Sequence, residues 1–134
     1  MKITSKRIII VISIFMCLAA LTYLAIYLRD VSDYKQAVKE TVFKDIDISR
    51  VPDGTYVGEY DVDFIYAKVE VTVQNRVVTE IDLLEHRNER GKSAEIVTER
   101  IIEEQRTDVD AISGATNSSI VIKKAVEIAL DGEG

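Results

Sequence analysis

Hydrophobic and polar positions divide the chain into stretches of different period. The first runs from Ile8 to Leu28 (IIIVISIFMCLAALTYLAIYL) and holds no charged residue. An apolar helix of roughly 20 residues crosses a hydrocarbon core at about 1.5 Å per residue, so residues 8–28 are predicted to span a membrane. Over 29–51 the apolar positions Val31, Tyr34, Ala37, Val38 and Thr41 fall at helical spacing. That spacing predicts a stalk whose helix continues from the span. The only proline, Pro52, ends this region, and Asp53-Gly54 is a turn signal that opens the folded part, residues 52–134.

The period then becomes two. Thr55 to Val62, bearing Tyr56, Gly58 and Tyr60, reads as a strand. In the next stretch Ala67, Val69, Val71 and Val73 alternate with Tyr66, Lys68, Glu70 and Thr72. After the short turn Gln74-Asn75-Arg76, Val77, Thr79, Ile81 and Leu83 alternate with Val78, Glu80, Asp82 and Leu84. Three sequential half-buried strands with short connections predict an antiparallel meander. Beyond Gly91 the helical period returns, with Ala94, Val97 and Ile101 on one face of a helix over 92–105. A last helix, about Ser118 to Leu130, carries the stripe Ile122, Ala125, Val126, Ala129 and Leu130. The expected fold is therefore α+β: a small antiparallel sheet packed with helices, preceded by one N-terminal transmembrane helix.

Charge gives the span a direction. Lys2, Lys6 and Arg7 precede it, which puts residues 1–7 in the cytoplasm and the C-terminal domain outside. A cleaved signal peptide has an apolar region of about 7–15 residues ending in a small-x-small site. Thr22 to Leu28 stays bulky to the end, which favours an uncleaved anchor in the cell membrane. Of the 17 basic residues 3 precede the span and 14 follow it, against 23 acidic residues that all follow it. So acidic a surface repels nucleic acid and excludes it as a partner. Cys17 is the only cysteine, so no disulfide forms within the chain, and Phe15-Met16 before it is unlike a lipoprotein site.

The chemistry concentrates in Asp110-Ala111-Ile112-Ser113-Gly114-Ala115-Thr116-Asn117-Ser118-Ser119, a small, hydroxyl-rich loop running into the last helix. Ser113, Gly114 and Ala115 let a bulky group approach the backbone closely. Asn117 or Ser118 is a natural N-cap. A phosphate on Thr116 would meet the unpaired amides and positive dipole end of the helix start. Read from these residues alone, the loop is equally a plain helix start.

The order of motifs resembles that of the FMN-binding domain family. Members open with D-G-x-Y-x-G, matched by Asp53-Gly54-Thr55-Tyr56-Val57-Gly58. A strand pair follows, then a stretch ending in glycine before a helix, here His86-Arg87-Asn88-Glu89-Arg90-Gly91. Next comes D-x-x-S-G-A-T-x-S, matched by Asp110, Ser113, Gly114, Ala115, Thr116 and Ser118, and an amphipathic helix closes the order. Relatives include small membrane-anchored flavoproteins and the FMN-carrying subunits of membrane redox pumps, such as sodium-translocating NADH:quinone oxidoreductase and Rnf-type complexes. The resemblance implies that Thr116 carries FMN as a phosphoester. Ser113, Gly114, Ala115, Asp110, Asn117 and Ser118 would frame it. It also implies a flavin transferase as modifying partner, with Asp110 either recognised by that enzyme or shaping the loop. Electrons would pass to membrane redox partners or come from quinone-linked donors.

Two other readings stay open at this stage: a module holding FMN or another ligand without a covalent bond, and a flavin-free interaction module of the same fold. His86 is the only histidine, so no histidine cluster forms a metal site. It reads as a structural histidine or a contact to the flavin ring. Tyr56, Tyr60 and Tyr66 suit either ring stacking or an ordinary sheet surface. No nucleophile–base pair and no phosphate-binding lysine loop stands out, which makes an electron carrier the expectation rather than a self-sufficient enzyme.

Overall fold

The computed structural model describes residues 4–44, 46–87 and 92–131. Asn88 to Gly91, in the glycine-bounded stretch ahead of the helix, lie outside the described residues. The chain divides into two compact units, Met1–Asp33 and Tyr34–Gly134.

Helix α1, Ser5–Lys39, contains neither glycine nor proline and supplies most of the first unit. It is long and apolar enough to cross a membrane, and its side chains from Ile8 to Leu28 are all exposed. The hydroxyl of Thr22 donates to the carbonyl of Leu18 at 2.9 Å, which satisfies it within the helix. Such internal pairing is what an apolar solvent demands of a polar group.

The second unit is built on a three-stranded antiparallel sheet in the order β1 (Gly54–Asp61), β2 (Tyr66–Gln74), β3 (Val77–Arg87). In the central strand Ala67, Val69, Val71 and Val73 are buried, as the alternation predicts. The third strand departs from its predicted alternation. Val73 pairs with Val78 and Thr72 with Glu80, so Thr79 is an extra residue; Val69 pairs with Leu83 and Lys68 with Glu85, so Leu84 is another. Each bulge moves the following side chains to the opposite face. The face shared with the central valines is therefore Val78, Ile81, Leu83 and His86, while Val77 is exposed. Asn75 and Arg76 both take positive φ in the two-residue β2–β3 hairpin, the signature of a type I′ turn. The Asp53 carboxylate receives both their amides, at 2.9 and 3.0 Å. Those two hydrogen bonds hold its carboxyl below the usual carboxylate range.

Helix α2, Val97–Glu104, is preceded by a 3-10 turn, Lys92–Ile96, and buries Val97 and Ile101 with Ala94 of the turn. Helix α3, Thr116–Asp131, packs on β1 and β2. Its stripe is buried as expected, and Val121 is buried beside it. Gly58 sets the spacing: a Cβ there would lie 2.2 Å from the Ala125 carbonyl oxygen and 2.5 Å from the Ala129 nitrogen. The small residues Ala125 and Ala129 above this glycine let helix backbone and strand backbone touch.

The second unit also takes in residues of the sequence-assigned stalk. Val38, Ile48 and Val51 are buried. Thr41 Oγ1 and Tyr60 OH are 2.8 Å apart. Glu127 of α3, 1% exposed, accepts from the Lys44 amide at 3.0 Å and from Lys124 Nζ at 2.8 Å. Lys124 also donates to the carbonyl of Val42 at 2.8 Å. The stalk reading rested on helical spacing, which cannot reveal backbone-to-side-chain ties of this kind.

Candidate functional site

The α2–α3 loop is fixed at both ends. Gln105 closes α2 in the left-handed conformation. Its amide oxygen accepts from the Val78 N–H at 2.9 Å, and its amide nitrogen donates to the Val78 carbonyl at 2.8 Å, as a neighbouring strand would. Thr107 and Val109 are buried, while Asp108 between them points out. Lys123 of α3, with a side chain only 7% exposed, donates to Asp108 at 3.1 Å and lies over the Phe43 ring at 4.7 Å. Arg100 donates to the Asp110 carbonyl oxygen at 3.2 Å. The Asp110 backbone is thereby tied to α2, and the residue is exposed.

The chain next makes a tight turn. The Ala115 amide donates to the Ile112 carbonyl at 3.0 Å, and Gly114 has φ of +81° in third position. That is a type II turn, which favours glycine there. The turn feeds directly into α3, and the Ala115 carbonyl accepts the first helical bond, from the Ser119 amide at 2.9 Å. Ala115 is therefore the N-cap, and the expectation of Asn117 or Ser118 in that role is corrected. The turn delivers the backbone into helical geometry at Thr116, two residues before a serine cap would act. Ser118 is buried in the first turn and Asn117 half-buried.

Thr116, the first residue of α3, is exposed, as are Ser113 and Gly114. The amides of Thr116, Asn117 and Ser118 belong to the first helical turn, which offers them no internal acceptor. A Cβ built on Gly114 meets nothing within 4 Å, so the space beside the threonine is open. Exposed hydroxyl, unpaired amides and open space fit a phosphate group and the bulk it carries. A cleft of about 300 Å³ is lined by Phe43, Lys44, Ile46, Arg106, Thr107 and Asp108. Another of about 600 Å³ lies near Asp53 and Arg76. Thr116 lines neither.

Residues 64–131 match the FMN-binding domain. The chain belongs to the FMN-binding domain family. The match takes in β2, β3, α2, the loop and α3, and it begins after the Asp53–Gly58 segment. No curated protein and no solved structure matches the chain. Membership gives the second unit of this FMN-binding protein a flavin-binding role and FMN as its cofactor.

The structure brings Asp110, Ser113, Gly114, Ala115, Thr116, Asn117 and Ser118 into one continuous loop and first helical turn. One residue was missed. Ser119 is completely buried, and its Oγ accepts from the Ile112 amide at 3.0 Å and donates to the Ala115 carbonyl at 2.8 Å. A second adjacent serine in the loop was the only signal, and serine at a helix start ordinarily reads as a cap. The His86 side chain is only 3% exposed, with Nδ1 3.2 Å from the Glu95 carboxylate in the 3-10 turn. The tyrosine hydroxyls have structural partners: Tyr56 donates to the Pro52 carbonyl, Tyr60 pairs with Thr41, and Tyr66 donates to Glu59 at 2.6 Å. The Glu59 contact pushes the Tyr66 phenol up to about 12.

Proposed function

We propose that this protein is a membrane-anchored, extracytoplasmic electron carrier whose FMN is esterified through its phosphate to Thr116. The observation that carries the reading is the exposure of Thr116 on a family-matched motif loop. Ligands held without a bond are ordinarily buried over most of their surface in concave pockets. Thr116 is exposed, so an ester would hold a flavin there without an enclosing pocket. Attachment joins Thr116 Oγ1 to the FMN-side phosphorus of FAD, with loss of the hydroxyl proton and release of AMP. A hydroxyl is a weak nucleophile at its free pKa, so the base and metal belong to the flavin transferase.

Within this chain the first-turn amides of α3 stabilise the phosphate charge, and Gly114 leaves room for the group. Bound FMN supplies one- and two-electron redox chemistry. Helix α1 retains the domain at the membrane beside redox partners or quinone-linked donors. Lys2, Lys6 and Arg7 orient it with the domain outside, where no cytoplasmic flavin pool replaces a lost cofactor.

Intact mass of the denatured protein, produced with and without a flavin transferase, tests this. The expected gain is one FMN less one water, on the peptide bearing Thr116 and absent from Thr116→Ala. Flavin released by urea would replace the ester with reversible binding. A colourless, unmodified chain in the presence of active transferase would leave an interaction module.

A further inference from the structure

Ser119 makes an arrangement that an ordinary helical serine does not. A serine hydroxyl in a helix commonly donates to the carbonyl four residues back, and Ser119 does so at 2.8 Å to Ala115. It also accepts, at 3.0 Å, from the amide of Ile112, seven residues earlier and outside the helix. Ile112 and Ala115 are the two ends of the glycine turn, already joined by the Ala115 amide to the Ile112 carbonyl at 3.0 Å. One buried hydroxyl therefore ties both ends of the turn to the first turn of α3.

Among the described residues, Lys123 to Asp108 and Arg100 to the Asp110 carbonyl tie the loop before this turn. The Ser119 amide holds the Ala115 carbonyl at 2.9 Å, so what the hydroxyl alone supplies is the acceptor for the Ile112 amide. Removing the hydroxyl takes the acceptor from the amide of Ile112, a half-buried residue, and backbone donors left without a partner move to find one. Release of the turn changes where Ser113 and Gly114 sit beside Thr116 and the first-turn amides.

We propose that Ser119 is the positioning residue of this site: its hydroxyl locks the Ile112–Ala115 turn so that a phosphoester on Thr116 rests against the first-turn amides of α3. The proposal rests on the Thr116 attachment proposed above. Ser119 touches no part of the cofactor and acts through the backbone that does. Its effect falls on how the phosphate is held, not on whether the ester forms.

The test uses the full chain in detergent, produced with a flavin transferase as wild type, Ser119→Ala, Ser119→Cys and Val126→Ala. Val126 is a fully buried core residue two turns along α3 from Ser119, so its truncation lowers stability without touching the turn. Intact mass reads attachment, and phosphorus NMR of the ester reads its surroundings in the folded protein and in urea. In wild type and Val126→Ala the folded resonance should stand apart from the urea position. In Ser119→Ala it should move most of the way to that position while the protein stays folded, with Ser119→Cys between. A Ser119→Ala resonance coincident with wild type overturns the proposal. If Ser119→Ala does not fold, Ser119→Cys decides: a displaced resonance supports the lock and a wild-type position overturns it. A wild-type chain whose mass shows no flavin defeats the Thr116 attachment itself, and the proposal with it. That failure is read from a different sample than a Ser119 failure.

Discussion

Gly114 and Asp53 each carry a backbone burden that their side chains explain. At Gly114 a methyl group would meet no atom within 4 Å, yet φ is +81°. The obstacle to substitution is conformational, since a left-handed backbone costs an L side chain about 1–2 kcal/mol. Gly114→Ala should therefore fold and lose about 1 kcal/mol in urea unfolding, without the larger loss that a clash would bring. At Asp53 the Asn75 and Arg76 amides favour the ionised carboxyl and depress its pKa from the usual 3.8. A group whose folded value is depressed contributes stability above its unfolded value and loses it as pH falls through the folded one. Thermal midpoints should thus fall less steeply below pH 4 in Asp53→Asn than in wild type, with the two curves parallel near neutrality. Equal slopes would show that these hydrogen bonds do not favour the charged form.

Among the elements, the contact of α3 with β1 is the most sensitive to one atom. The Cβ of Gly58→Ala would meet the Ala125 carbonyl and the Ala129 amide, both backbone, so no rotamer relieves it. The helix must lift from the sheet, and overpacking of this kind costs about 1–3 kcal/mol. A fall in the urea midpoint of that size is expected, and Ala129→Gly should not rescue it because the clash is with the backbone. The glycine itself was legible in the D-G-x-Y-x-G segment, but the helix crossing it was not, because sequence does not say which strand a helix covers. The valine alternation of β2 and the stripe of α3 were readable for the opposite reason: each is a single period set by burial on one side. In β3 the bulges at Thr79 and Leu84 broke the period twice, which hid the burial of Val78 and of the His86 side chain. The motif loop was legible in residue type. Its N-cap was not, because the glycine turn starts the helix at Thr116 and displaces Asn117 and Ser118 from the capping role.

Taken as a whole molecule, the chain joins a span with no charged residue between Ile8 and Leu28 to a compact unit, Tyr34–Gly134, that holds the motif loop and its supports. Those supports, including the ties of Thr41, Val42 and Lys44 to Tyr60, Lys124 and Glu127, lie within the second unit. Cutting before Tyr34 therefore removes the span and keeps these ties, whereas cutting at Pro52 removes Val38, Ile48 and Val51 from the core. Burying a side chain of this size contributes about 1.5–3 kcal/mol. Loss of three such residues is a large part of the roughly 5–15 kcal/mol that holds a domain folded. A chain beginning at Tyr34 should be soluble, and its flavin-free form should melt within a few degrees of the flavin-free full protein. A chain beginning at Pro52 should melt far lower or not fold. The full protein should stay with the membrane through alkaline carbonate washing, and the Tyr34 chain should not. Equal melting of the Tyr34 and Pro52 chains would return residues 34–51 to the role of a stalk.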